Sequence, residues 1–360
     1  MKVVFRADAS LLMGSGHVMR CLTLANELAK RGAKCDFLCR EHSGHLGDVI
    51  HSQGHAVHLL PMGSPGAKDG YETAHAEWLG ATQLEDKAHC LPILRDLHPD
   101  WLVVDNYAID HNWSRGMESN YRRLMVIDDL ADRVHQCDLL LDQNLGRQPD
   151  DYRHLVPANC SIMAGTDFAL LRPEFSAYRT DSLARRKVAL PHKLLITMGG
   201  VDVPNASSSI LRALSFSRLP SQCEINVVVG ATSPWVSEVK QAARELQWPT
   251  KVLVDVRDMA RLMTESDLAI GASGSTSWER CCLGLPSITL VLAENQRFIA
   301  SQLANFGAAE VLSLSKNLHQ ELALMIDQYF KPERLMQMSV MAAKICDGLG
   351  AQRIGDAMYE

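Results

Sequence analysis

Short apolar runs, each closing on a polar or acidic residue, alternate along the chain with stretches in which apolar residues return every three or four positions. The first run is Lys2-Val3-Val4-Phe5-Arg6. A polar turn carrying Gly14 and Gly16 follows. Val18, Cys21, Leu22, Ala25 and Leu28 then recur at helical spacing until Gly32 stops the helix. Further strands are predicted at 34–39, 55–60, 101–105, 123–127 and 139–141, with a short helix from Leu46 and another ending near Leu97. The run Trp101-Leu102-Val103-Val104-Asp105 is apolar up to its closing carboxylate, the pattern of a parallel strand buried on both faces. A second series starts at 193–198 and continues at 224–229, 251–253, 268–270 and 287–292, with helices at 318–330 and 334–346. Strands alternating with helices predict an α/β fold with a doubly wound parallel sheet in each half. A glycine- and alanine-rich connection is expected within 62–88. The charged segment 179–192, with Arg185-Arg186-Lys187 and Pro191, is the expected linker.

A chain of 360 residues exceeds one ordinary core. The expected division is an N-terminal domain over 1–178, a C-terminal domain over 190–345 and a tail over 346–360. A net charge of −6 argues against a nucleic-acid partner, which calls for a basic surface. The ten cysteines are scattered without a Cys-x-x-Cys pair, so they are read as reduced, mostly buried thiols of a cytoplasmic protein. The histidines at 42, 45, 51, 55 and 58 lack metal-site spacing and are read as solvent-facing; no metal or cofactor is expected. The longest mainly apolar run, 283–293, is broken by Pro286 and falls far short of a membrane span, so no stable membrane insertion is expected.

The chemistry gathers where strands end, because ligands of such sheets bind at the carboxyl edge. The loop after the first strand delivers Gly14, Gly16 and His17 to a helix start, a natural anion site. A dinucleotide fingerprint fails there: the third glycine is replaced by Met19, and Asp36 lies inside the second strand. A Walker loop fails for want of Gly-Lys-Ser/Thr. His17 is then either a base at a ligand edge or a plain helix-start residue. Asp105, next to Asn106 and Tyr107, is either functional or a cap, while Asp128, Asp129 and Asp142 are read as turn or cap residues. In the second half, the Gly199-Gly200 turn lets the backbone approach a ligand and offers N–H groups to phosphate, and the small residues around Gly274-Ser275 open a helix, again an anion site. Glu279 either caps its helix or chelates a ribose diol.

Taken together these motifs resemble the PseG-type UDP-sugar hydrolases of the pseudaminic acid pathway, within the MurG-like GT-B superfamily. The resemblance rests on Phe5-Arg6-Ala7-Asp8, Gly14-Ser15-Gly16-His17-Val18-Met19-Arg20, Val104-Asp105-Asn106-Tyr107, Phe168-Ala169-Leu170-Leu171-Arg172, Met198-Gly199-Gly200-Val201-Asp202, the stretch 272–279 and Glu294-Asn295-Gln296. It implies two Rossmann-like domains whose parallel sheets face a central cleft. It also implies metal-independent hydrolysis of UDP-2,4-diacetamido-2,4,6-trideoxy-β-L-altropyranose to UDP and the free sugar, upstream of flagellin glycosylation. On that pattern His17 is the catalytic base. Glu279 holds the ribose, Gly199, Gly200, Gly274 and Ser275 surround the diphosphate, and Asn295 and Gln296 lie near the sugar–phosphate junction. Asp8, Asp105, Tyr107 and Asn144 line the sugar pocket beside Gly14 and Gly16. The implied partners are the UDP-sugar and, transiently, other enzymes of the same pathway. Rival readings with the same nucleotide site are a MurG-like glycosyltransferase, a UDP-sugar epimerase and a non-catalytic UDP-sugar-binding protein.

Overall fold

The computed structural model describes residues 1–64, 73, 75–188 and 190–360. It divides into two units, one of residues 1–170 with 350–360, the other of residues 171–349.

The first unit is built on seven parallel strands: β1 (Lys2–Ala7), β2 (Lys34–Arg40), β3 (Ala56–Leu60), β4 (Trp101–Asp105), β5 (Arg123–Ile127), β6 (Leu139–Asp142) and β7 (Ser161–Ala164). Their order is β3-β2-β1-β4-β5-β6-β7. Alternation along each strand supplies two cores. Val3, Phe5, Phe37, Val103, Met125 and Ile127 pack on one face, with Val18, Cys21, Leu22, Ala25 and Leu28 of the helix Gly16–Lys30. Val4, Leu38, Leu102, Val104, Leu124 and Val126 pack on the other, around the fully buried Trp113. The direction of the chain reverses across the sheet at β1 and β4, whose register pairs Ala7 with Asp105. The loops after those two strands therefore leave the sheet side by side, at the switch point where doubly wound sheets bind ligands.

The second unit repeats the plan with β8 (Lys193–Thr197), β9 (Glu224–Val229), β10 (Thr250–Val254), β11 (Leu268–Ala272), β12 (Ser287–Leu290) and β13 (Ala309–Leu312), in the order β10-β9-β8-β11-β12-β13, again parallel throughout. Its switch point lies between β8 and β11, the strands that precede Gly199-Gly200 and Gly274-Ser275.

The boundaries differ from the sequence expectation in two places. Half of the expected linker, up to Arg186, is the end of the helix Pro173–Arg186. That helix belongs to the second unit because Arg186 is buried there and donates to the carbonyls of Leu283, Ser266 and Met263 at 2.7–3.0 Å. The expected tail is a helix, Gly350–Tyr359, that returns to the first unit. Ala351, Ile354 and Met358 join its core, and Trp101 Nε1–H donates to the Met358 carbonyl at 2.9 Å. Within the predicted connection 62–88, residues 65–72 and 74 lie outside the described ones. The remainder forms a single 3₁₀ turn, Ala76–Leu79, and the start of the helix Gln83–Leu97, capped by Thr82 and Glu85.

Nine of the ten cysteines are buried and all are free thiols. His55, expected to face solvent, is instead buried against Phe37 and bonded to Asn26 at 2.8 Å. Among the described residues no group of three or more His, Cys, Asp or Glu is placed to hold a metal ion, and no helix is long and apolar enough to cross a membrane.

Candidate active site

In the first unit the loop after β1 closes on itself before the helix begins. The N–H of Gly14 donates to the Ser10 carbonyl at 2.9 Å, and Ser10 Oγ accepts from the N–H groups of Leu12 and Met13. Gly14 has φ +82°, a conformation that a side chain would strain. Gly16 opens the helix directly, which sets His17 in its first turn at the carboxyl edge of the sheet.

His17 Nδ1 lies 2.6 Å from Asp105 Oδ1. Burial opposes ionisation of Asp105, but Arg20 and His17 outweigh it and hold the carboxyl well below the usual range. An ionised carboxylate only accepts, so Nδ1–H donates to it, and Nε2 is left as the basic nitrogen. No described residue hydrogen-bonds that Nε2. Arg20 grips the same carboxylate with Nε and a terminal nitrogen, at 2.6 and 2.7 Å, and reaches Asp129 with its other terminal nitrogen at 2.7 Å. Asp129 also accepts from the Tyr107 hydroxyl and, at 2.8 Å, from Asn144 Nδ2. Burial and Asp129 raise the Tyr107 hydroxyl well above the ordinary phenol range, so it remains a donor.

Aromatic rings cover this network. The His17 ring stands edge-on to Tyr107, with centroids 4.6 Å apart, and Trp78 stacks on Tyr107 at 5.8 Å. His75 packs on Trp78 at 4.5 Å.

The four residues expected to line a sugar pocket are all buried in hydrogen-bond networks. Asp105, Tyr107 and Asn144 are buried, and their polar atoms bond to His17, Arg20, Asp129 and Asp142, so they support His17 from beneath. Asp8 lies in a separate buried network, accepting from the Arg40 N–H at 2.7 Å and from Asn106 at 3.0 Å and pairing with Arg6. Asp128 and Asp142 accept from nearby turn N–H groups, as their strand-end positions suggested. Asp129, expected to do the same, is the far anchor of Arg20 instead. Arg20 and Trp78 were not singled out as site residues from the sequence, and Asp129 was read only as a turn or cap residue. The helical step of three from His17 to Arg20 was the one available signal.

In the second unit Gly199 has φ +87°, and Gly200 passes so close to Gly230 that a Cβ there would stand 1.9 Å from the Gly200 carbonyl oxygen. The Asp202 carboxylate accepts from the N–H groups of Ala206 and Ser207 at 2.8 and 2.9 Å, at the start of a helix (Ala206–Leu214) whose N-cap is Asn205. After β11, the carbonyls of Gly274 and Ser275 accept from Ser277 and Trp278 as the helix Thr276–Cys282 begins. Gln296 turns its side-chain oxygen to the Leu292 N–H at 3.0 Å, and its amide nitrogen lies 3.9 Å from where a Cβ on Gly274 would stand. Gln296 thus adjoins the Gly274-Ser275 turn, while Asn295 holds the N-cap position of the helix Gln296–Asn305 without a side-chain capping bond.

The side chain of Glu279 is 18% exposed and hydrogen-bonds to no described residue; Arg172 pairs with it loosely, at 3.8 Å. Burial raises its carboxyl above the ordinary range, and Arg172 only partly offsets this. It does not cap its own helix.

These two units, each a parallel sheet in Rossmann order, define a GT-B-like α/β protein. Solved structures share the fold along the whole chain: MurG of Acinetobacter baumannii has a TM-score of 0.71 at 18% identity, covering 100% of this chain and 99% of that one. The UDP-GlcNAc 2-epimerase of Neisseria meningitidis has a TM-score of 0.61 at 14% identity, with 100% of both chains covered. Residues 199–352 match the glycosyltransferase family 28 C-terminal domain. The resemblance to the PseG-type hydrolases holds over most of the sequence: the UDP-2,4-diacetamido-2,4,6-trideoxy-β-L-altropyranose hydrolase of Campylobacter jejuni is 27% identical over 309 residues, 85% of this chain and 97% of the relative. The spore coat polysaccharide biosynthesis protein SpsG of Bacillus subtilis is 30% identical over 171 residues, 47% of this chain and 49% of the relative.

Proposed function

We propose that the chain hydrolyses a UDP-sugar, UDP-2,4-diacetamido-2,4,6-trideoxy-β-L-altropyranose, to UDP and the free sugar, as a step of pseudaminic acid formation. The observation that carries this reading is the His17–Asp105 pair at 2.6 Å, which leaves Nε2 as a base at the switch point of the first sheet. It is supported by the relative from Campylobacter jejuni, matched over nearly its full length.

In this mechanism the second unit holds UDP. Glu279 takes the ribose hydroxyls, the turns at Gly199-Gly200 and Gly274-Ser275 offer N–H groups to the diphosphate, and Asn295 and Gln296 face the sugar–phosphate junction. His17 Nε2 accepts a proton from water as the water oxygen bonds to the anomeric carbon. The bond from that carbon to the β-phosphate oxygen breaks, and UDP leaves with the electron pair. Asp105 holds the imidazole in the productive tautomer and stabilises the imidazolium, as the carboxylate of a catalytic triad does.

Hydrolysis in heavy-oxygen water tests the route. Label is expected in the free sugar, with turnover surviving EDTA; label in UDP refutes attack at carbon. His17→Asn is expected to lower kcat by about 10²–10⁴-fold with KM nearly unchanged. The match to a glycosyltransferase domain favours one second reading, transfer to an acceptor sugar. Prompt UDP release with no acceptor present decides against it.

A further inference from the structure

We propose that Arg20, anchored by Asp129, is a positioning residue that shares the Asp105 carboxylate with His17 and so sets how readily the imidazole takes up a proton. The inference rests on the base role given to His17 above.

An imidazole beside a free buried carboxylate is strongly favoured as imidazolium, and a base already protonated accepts nothing. Here the carboxylate is not free. Arg20 bonds both of its oxygens, and Asp105 Oδ1 is shared between Arg20 and His17 Nδ1 at 2.7 and 2.6 Å. The Arg20 terminal nitrogen also stands 3.5 Å from His17 Nδ1, so the fixed positive charge opposes a second one on the ring. Arg20 is itself held from the far side by Asp129, which Tyr107 and Asn144 keep in place.

The groups facing His17 come from several elements. Arg20 and Cys21 lie on its own helix, Asp105 ends β4, Tyr107 is in the loop beyond, and His75 belongs to the turn that carries Trp78. Among these, Arg20 is the one permanent cation bonded to Asp105. The geometry therefore gives Arg20 and Asp129 opposite effects. Loss of the Arg20 charge frees Asp105 to hold a proton on His17. Loss of the Asp129 charge leaves Arg20 more fully on Asp105 and makes the surroundings of His17 more positive.

The test follows the His17 Cε1–H resonance against pH in the ligand-free full chain, assigned by its absence in His17→Asn. In Arg20→Met the titration midpoint is expected to rise by about one to three pH units. In Asp129→Asn, a near-isosteric change that covers the case of a poorly folded Arg20→Met, it is expected to fall. Arg20→Lys should restore most of the wild-type position. The acid limb of kcat/KM for UDP release should move in the same directions. A purely structural role would lower the rate at every pH without moving the limb. Midpoints that stay put in folded variants, or that move in the same direction in both, overturn the inference. The base assignment fails separately, if His17→Asn turns over at the wild-type rate.

Discussion

Removing the Glu279 carboxylate separates a ligand residue from a helix-stabilising one, because the two roles predict opposite patterns. The side chain hydrogen-bonds to no described residue, keeps 18% exposure and pairs with Arg172 only at 3.8 Å. Glu279→Ala therefore costs the ligand-free fold only the loose Arg172 pair and relieves a partly buried charge. Unfolding stability in urea should be unchanged or higher. UDP binding should suffer instead. A hydrogen bond to a charged acceptor contributes about 1.5–3 kcal/mol, so loss of the ribose contact should raise Kd for UDP by about 10–150-fold in calorimetry. The pH dependence has a definite sign. Burial raises the Glu279 carboxyl in the folded protein, so between its unfolded and folded titration ranges the native state binds more protons and stability falls as pH rises. The stability of Glu279→Gln relative to wild type should accordingly grow from acid to neutral pH. Unchanged UDP affinity, together with a loss of stability, would refute the reasoning and return Glu279 to the helix-end role.

Two further outcomes follow from buried contacts. Asp86 accepts from Arg6, Arg40 and Trp113 in a fully buried cluster, so Asp86→Ala should cost about 3–5 kcal/mol in urea unfolding by leaving guanidinium charge unpaired. Burial opposes its ionisation, yet Arg6 and Arg40 hold the carboxyl down to about 2, so this stabilisation is full above the ordinary aspartate range and should disappear as pH falls toward 2. Gly230→Ala puts a Cβ against the Gly200 carbonyl and must displace the Gly199-Gly200 turn. It should cost about 1–3 kcal/mol of stability and weaken UDP binding, measured by urea unfolding and calorimetry.

The strands were legible because burial on both faces writes them as apolar runs ended by polar residues, and all but two were anticipated. The exceptions, β7 and β13, have four residues each, lie at sheet edges and carry Ser161 and Glu310, so no apolar run announces them. The expected linker was misplaced for a different reason. A charged run ordinarily means a solvated surface, but Arg186 bonds carbonyls some 77 to 97 residues away, and local pattern holds no trace of such partners. The same limit applies at the site. His17 and Asp105 each stood out at a strand-end position, yet their pairing depends on the register of β1 with β4. Asp129 looked like its neighbour Asp128, and only the folded chain shows that one ends a turn while the other anchors Arg20.

The returning helix Gly350–Tyr359 has a consequence for how the protein is made. Residues 350–360 leave the ribosome after the whole of 171–349, yet they complete the core of the first unit through Ala351, Ile354 and Met358 and its edge through Arg31 and Asp356 at 2.7 Å. The second unit is one uninterrupted stretch and needs nothing that comes later. During synthesis the unit proposed to hold UDP is therefore the first that can finish folding, although its sequence comes second. The unit carrying His17 waits, with Trp101 and the flank of its first helix near Arg31 uncovered, until residues 350–360 follow.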